Sequence, residues 1–190
     1  SGKKILFVAT KKQAKSIVAE AAKKLDMPYI TERWPGGLLT NFSTIRKSIK
    51  KMDGIDKMKT DGTFDTLSKR ERLQIDRTRE KLEINLGSIV KMNRMPAAIF
   101  IIDINKEHIA VKESAKLGIR SFAVTDTNTN PSLVNYPIPG NDDASKAISH
   151  IVDVVSKAIS EGLSERSEEQ DKKALEKQKK AKKIAEEAKK

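Results

Sequence analysis

Polar side chains stand immediately after three of the apolar runs that the sequence predicts to be strands. Thr10 and Lys11 follow the first run, and Asp103 and Asp126 follow two later ones. Because a parallel sheet binds its ligands at the carboxyl ends of its strands, these side chains are the first candidates for a reaction centre. Two carboxylates there could hold Mg²⁺ or accept a phosphoryl group. One hypothesis is therefore a phosphoryl-transfer or nucleotide-binding enzyme that uses Asp103 and Asp126.

The motifs that such an enzyme needs are missing from the sequence. The turn after the first strand, 9–14, contains no glycine and matches neither the dinucleotide fingerprint nor the phosphate loop. His108 and His150 have no partners at metal-ligand spacing, and no serine lies in a nucleophile-elbow motif. The absence of cysteine excludes thiolate catalysis and disulfide bonds. The sequence thus predicts no catalytic activity, no cofactor, no metal and no small-molecule substrate.

The charge of the chain points to a polyanionic partner. The net charge is +12 over 190 residues, and residues 1–52 contain 12 basic and 3 acidic side chains. A concentrated cationic region attracts nucleic-acid phosphates, although a solvated basic face without a partner has the same composition. Only eight residues are aromatic, too few for the stacking platform of a single-strand binder. Phosphates of folded, double-stranded RNA are therefore the better fit.

The order of the predicted elements indicates an α/β fold. Continuous apolar strands that alternate with helices favour a parallel sheet covered on both faces. A helix that begins at Asp142 and Asp143 and continues through Ile159 closes the core, and the segments 126–131 and 136–141 are predicted to be turns or loops. The other predicted strands are 4–10, 27–30, 97–103 and 120–125, and the other predicted helices are 11–25 and 108–117.

About sixty residues between the second and third strands interrupt this alternation. They carry two narrow apolar stripes at helical spacing, joined by the turn 60–63, which predicts an antiparallel, coiled-coil hairpin that projects from the body. We therefore expect an α/β domain at 1–40 and 94–160, an inserted hairpin at 41–93, and a tail at 161–190. The tail is too poor in apolar residues to form a core, so it is a charged helix or disordered. The apolar runs are also too short to span a membrane, and the start of the chain lacks a secretory signal, so a cytosolic protein is expected.

Five motifs resemble those of the bacterial small-subunit ribosomal protein family S-two, in the order of that family. The resemblance covers about residues 3–160 and implies a flavodoxin-like three-layer sandwich with an inserted coiled-coil arm. It also implies 16S ribosomal RNA as a partner, a place near the head–body junction of the cytoplasmic small subunit, neighbouring ribosomal proteins including the S-one protein, and no catalysis. The motifs are 5–14, 33–42, 62–64, 126–128 and 136–144.

The sequence departs from this family in two places. Family members carry an N-terminal segment with a Gly-His motif, a strand and a helix before the position of Ser1, so we expect a partial chain. Pro35 also stands where the family has an apolar residue after the tryptophan.

Ten residues of the basic region are the predicted RNA-binding residues. Gly36 and Gly37, beside Trp34, either approach a phosphate or simply form a turn, and Trp34 either stacks on a base or anchors the packing. The cations would neutralise phosphates, while Trp34 and Asn41 would shape the loop that enters the inserted arm. The set is Lys11, Lys12, Lys15, Arg33, Trp34, Asn41, Arg46, Lys47, Lys50 and Lys51.

Overall fold

A parallel sheet of five strands forms the centre of the protein. The computed structural model describes the backbone of residues 3–187 and the side chains of residues 3–168. The strands follow the order β2-β1-β3-β4-β5, and every pairing between neighbours is parallel. This is the strand order of flavodoxin-like folds, the fold that the family resemblance implies. The strands are β1 Ile5–Val8, β2 Tyr29–Ile30, β3 Ala98–Ile102, β4 Arg120–Thr125 and β5 Tyr136–Pro139.

Helices cover both faces of this sheet. All five residues of β3 are buried, which requires packing on each side because successive side chains point to opposite faces. On one face Leu6 and Ile99 belong to a core cluster with Val111, while Phe7 and Phe100 meet on the other with ring centroids 5.5 Å apart. The helices are α1 Lys12–Lys24, α2 Phe42–Thr60, α3 Lys69–Leu86, α4 His108–Lys116 and α5 Ser145–Glu187.

The segment 136–141, predicted to be a loop, instead contains the edge strand β5. Tyr136 to Pro139 pair in parallel with β4, and the Gly140 N–H donates to the carbonyl of Thr125. Because backbone N–H groups alternate along a strand, Pro137 and Pro139 then face the open edge, where a missing N–H costs no sheet hydrogen bond. The prediction was wrong because proline breaks an interior strand but is compatible with an edge.

Helix α5 begins later than predicted, at Ser145 rather than at Asp142 or Asp143. The side chain of Asn141 accepts hydrogen bonds from the N–H groups of Asp143 and Ala144, which holds these residues in a turn. The Asp142 carboxylate is directed to Lys11 instead of capping the helix.

Helices α2 and α3, which follow β2 and precede β3 along the chain, lie side by side. Ion pairs join Asp56 to Arg79 and Lys59 to Asp76. Because a later residue of α2 pairs with an earlier residue of α3, the two helices run antiparallel. A capping box between Ser68 and Glu71 starts α3. Whether residues 41–93 form a separate, projecting domain is not tested by these contacts, and that division stays a prediction.

Within the described part of the chain, the residues up to Val152 form one compact unit and those from Asp153 onward a second. The predicted tail, 161–190, falls in the second unit and extends past the described residues, so its separate status also stays a prediction. No helix in the described part of the chain combines the length and the apolar character needed to cross a membrane.

Candidate nucleic-acid interface

The carboxyl ends of β1 and β3, where a flavodoxin-like fold binds its ligands, are occupied by the protein's own side chains. The Lys11 ammonium lies 3.3 Å from Asp103, 2.7 Å from Asp142 and 2.7 Å from Asp143. Burial alone would lower the pKa of Lys11, but the hydrogen bonds to Asp142 and Asp143 and the charge of Asp103 raise it above its usual range. Lys11 is thus a fixed internal cation, only 16% exposed, and not a free phosphate ligand.

A buried glutamate, Glu107, also fills the carboxyl ends of these strands. The Glu107 carboxylate accepts hydrogen bonds from the backbone N–H of Thr10, at 3.2 Å, and from the Thr10 hydroxyl. The Lys106 ammonium lies 3.2 Å from the carbonyl oxygen of Thr10. Burial raises the pKa of Glu107, partly offset by the Thr10 hydrogen bonds. Among the described residues, these groups are bonded to one another and are therefore not available to hold a nucleotide phosphate.

A second buried glutamate shapes the loop that leads into α2. The Glu113 carboxylate accepts hydrogen bonds from the Trp34 indole N–H at 3.0 Å and from the backbone N–H groups of Gly37, Leu39 and Thr40 at 2.8, 2.9 and 3.0 Å. Burial alone would raise the pKa of Glu113, but these donors outweigh it, and the pKa lies below its usual value.

The geometry of this loop corrects the expectation for Trp34. Its side chain is only 5% exposed, so a nucleobase cannot stack on the ring in this conformation. Trp34 is a packing anchor, held by Glu113. Gly37 has a φ of +84°, and a Cβ there would approach the Cβ of Asn41 to 3.3 Å. Glycine at this position therefore serves the turn, and Asn41 follows it with a backbone hydrogen bond to the Gly37 carbonyl at 2.7 Å.

The organising carboxylates, Glu113 and Glu107, were not among the predicted site residues. A signal for Glu113 exists in the sequence, because it shares one face of α4 with Ala110, Val111 and Ser114 at helical spacing. An acidic residue on a buried face implies a partner. The sequence does not reveal that the partner is a loop some seventy residues earlier.

The four predicted RNA-binding cations of α2 divide into one internal and three external residues. The Arg46 guanidinium donates to the carbonyl of Val90 at 3.2 Å and to that of Met92 at 3.5 Å, so it ties the start of α2 to the segment after α3. Lys47, Lys50 and Lys51 are exposed, and among the side chains that the structure describes none of them forms an ion pair. Their spacing puts these three, the α2 lysine face, on one side of the helix.

Three further predicted residues lie near the start of α1. Lys12 is exposed, while the Lys15 ammonium pairs with Glu32 at 2.8 Å, beside the exposed Arg33. Lys12 and Lys15 are one turn apart on the same face of α1. Of the ten predicted residues, the structure therefore leaves Lys12, Arg33 and the α2 lysine face as exposed cations without an ion pair in the described part of the chain. It gives Lys11, Trp34 and Arg46 internal roles.

The fold and these surfaces define a class of protein. The protein is a parallel α/β sheet whose strand-end crevice is filled by its own side chains, with an inserted helix pair that carries an exposed cationic face. Comparison with known proteins makes the class specific. Residues 1–162 match the model of the family described as Ribosomal protein S2. The chain belongs to this family, the S-two family of the sequence motifs.

Individual relatives carry the same name, small ribosomal subunit protein uS2. The chain is 65% identical to that of Flavobacterium johnsoniae over 93% of its own length and 66% identical to that of Christiangramia forsetii over 89%. It is 52% identical to that of Cytophaga hutchinsonii over 99% of its own length. The chain spans 69%, 56% and 74%, respectively, of these relatives' lengths.

Proposed function

We propose that the chain is a structural constituent of the small ribosomal subunit, which binds 16S ribosomal RNA near the head–body junction and so supports translation. Its location is then the ribosome, in the cytoplasm. Its partners are the RNA and neighbouring small-subunit proteins, with the S-one protein a further candidate. Membership of the family supports the first part of this proposal, and the RNA contacts rest on the charge geometry.

The α2 lysine face is the observation that carries the RNA-binding proposal. Lys47 and Lys50 lie on the side of α2 away from the buried Ile49 and Met52, so packing fixes which side of the helix faces outward, and the exposed Lys51 lies next to them. Cations held in this way on a helix match the repeated phosphates of an RNA backbone without reading its sequence. Lys12 and Arg33 extend the proposed contact set, while Lys15 would have to exchange Glu32 for a phosphate.

The alternative, a phosphoryl-transfer enzyme that uses Asp103 and Asp126, has no support in this geometry. Asp103 is paired with Lys11 and also accepts the backbone N–H of Lys106 at 3.1 Å. Asp126 accepts the backbone N–H of Thr127 at 2.6 Å. The named relatives are structural ribosomal proteins, and the protein is therefore assigned no catalytic role.

Sedimentation tests the proposed function directly. A tagged chain is expressed in cells of a related bacterium, and the lysate is run through sucrose gradients at moderate and high salt. The proposal predicts co-migration with the small subunit at both salt concentrations, because several phosphate contacts act together. Retention of a folded chain at the top of both gradients would contradict it.

A further inference from the structure

Two Asp-Gly pairs lie in or next to α2, and the sequence contains no other Asp-Gly or Asn-Gly pair. Asp53 and Gly54 lie inside the helix, whereas Asp61 and Gly62 follow its last residue, Thr60. An aspartate in such a pair can isomerise without an enzyme, because glycine has no side chain to hinder attack by its own backbone nitrogen. Whether a given pair reacts depends on the conformation and exposure of its backbone.

The backbone at the second pair is open to this reaction. Asp61 and Gly62 are both exposed, and among the described residues no ion pair or hydrogen bond holds the Asp61 carboxyl group. The peptide group between the two residues also has no hydrogen bond in the described part of the chain, at its carbonyl or at the Gly62 N–H. Gly62 has a φ of +74°, and no atom lies within 4 Å of the place where a Cβ would be. This peptide group can therefore rotate toward the Asp61 side chain without breaking a hydrogen bond of its own.

The pair inside α2 is the opposite case. Helix geometry joins the Gly54 N–H to the carbonyl of Lys50, so the attacking nitrogen is already engaged in a hydrogen bond. The next residue, Ile55, is only 6% exposed, and unwinding the helix here exposes its apolar side chain to water. The same two residue types thus occur on one helix in a protected place and just beyond it in an unprotected one.

We propose that Asp61 is a site of spontaneous isoaspartate formation. The Gly62 nitrogen bonds to Cγ of Asp61 and loses its proton, while the hydroxyl of the neutral carboxyl group leaves with that proton as water, which gives a cyclic imide. Water then opens the ring at one of its two carbonyl groups. Opening at the side-chain carbonyl restores aspartate, whereas opening at the main-chain carbonyl leaves a chain that runs through Cβ and Cγ. One water molecule leaves and one returns, so the reaction needs no oxidant, reductant or cofactor.

The product alters the turn that joins α2 to α3. It adds a methylene group to the main chain directly before Gly62, whose carbonyl accepts the Asp65 N–H at 3.1 Å. Close by, the Lys59 ammonium lies 5.2 Å from the centre of the Phe64 ring. These contacts hold the turn against the end of α2, so isomerisation should loosen the pairing of the two helices at this end.

Peptide mapping of the folded chain, incubated at neutral pH and physiological temperature, tests this proposal. Trypsin separates the two pairs, because Asp53 falls in the peptide 52–57 and Asp61 in the peptide 60–69. Isoaspartate changes the retention of a peptide without changing its mass, and electron-based fragmentation gives its position. Because local opening of a helix interior costs free energy, isoaspartate should accumulate at Asp61 at least ~10-fold faster than at Asp53. In concentrated urea, where the helix is absent, the two rates should be similar.

Two matched substitutions identify the reacting residue. Asp61→Glu keeps the charge, but its longer side chain disfavours ring closure, so this variant should lose most of the isoaspartate. Asp53→Glu makes the same change inside α2 and should leave the amount unchanged. An isoaspartyl methyltransferase with labelled S-adenosylmethionine measures the total in each protein. Equal rates at Asp61 and Asp53 in the folded chain would overturn the proposal, and so would undiminished methylation of Asp61→Glu.

Discussion

The strand-end cluster around Lys11 and the α2 lysine face use the same side chain in opposite ways. Lys11 lies among three carboxylates and holds loops from different parts of the fold together. Lys47, Lys50 and Lys51 are exposed, and the described side chains offer them no ion pair. A count of basic residues treats all four lysines alike. Only the α2 lysine face is without an ion pair among the described side chains, so only these lysines are available to bind a phosphate. Stability and RNA binding should therefore respond to different lysines.

The largest effect on stability is expected from Lys11→Met. It leaves the buried Asp142 carboxylate without its cation, and breaking a buried ion pair in this way costs about 3 kcal/mol or more. Lys12→Met, one residue along, changes an exposed side chain and should alter the free energy of unfolding by less than about 0.5 kcal/mol. Urea denaturation of the two variants measures the difference. Equal stability of both would refute the distinction between internal and external lysines.

Glu113→Gln tests whether the loop before α2 depends on its buried carboxylate. The amide removes the charge and sets an N–H₂ group against backbone N–H donors, so we expect a loss of about 2–3 kcal/mol. Glu20→Gln, on the exposed face of α1, is the matched control and should be close to neutral. Thermal and urea unfolding report the loss, and near-native stability of Glu113→Gln would contradict the assigned role.

The same glutamate predicts a pH dependence. Its folded-state pKa is lowered, so its contribution to stability is fully present above the pKa of the unfolded chain, about 4.3, and is lost as pH falls through the folded-state pKa. The free energy of unfolding of the native chain should therefore decrease between about pH 5 and pH 3. In Glu113→Gln that decrease should be smaller. Parallel curves for the two proteins would show that Glu113 does not titrate as proposed.

A smaller effect is expected at the glycine that turns the loop toward α2. In Gly37→Ala an L side chain must adopt a φ of +84° with its Cβ near Asn41, which costs about 1–2 kcal/mol. Gly62→Ala imposes a similar backbone strain, at a φ of +74°, but its Cβ would have no neighbouring atom within 4 Å. Chemical denaturation should find Gly37→Ala the less stable of the two variants. The reverse order would show that the contact with Asn41 does not add to the cost of the substitution.

Local pattern made most of the fold predictable, and long-range contacts account for what it missed. Strand β4, 120–125, and helix α4 follow from continuous apolar runs and helical spacing. Strand β5 was missed because its two prolines argue against pairing, and only its position at the edge, a property of the whole sheet, makes them acceptable. The internal role of Lys11 was missed, and the choice between stacking and packing for Trp34 stayed open, because their partners, Asp142 and Glu113, lie 131 and 79 residues away along the chain.

The most direct test is the salt dependence of binding to small ribosomal subunits depleted of this protein. Lys47, Lys50 and Lys51 are changed together to Gln and compared with a control of equal charge change at Lys112, Lys116 and Lys146, which are exposed on α4 and α5. If the α2 lysine face contacts phosphates, the first variant should flatten the slope of log K against log salt by about two to three, and the control should not. Identical slopes for the two variants would contradict the proposed interface.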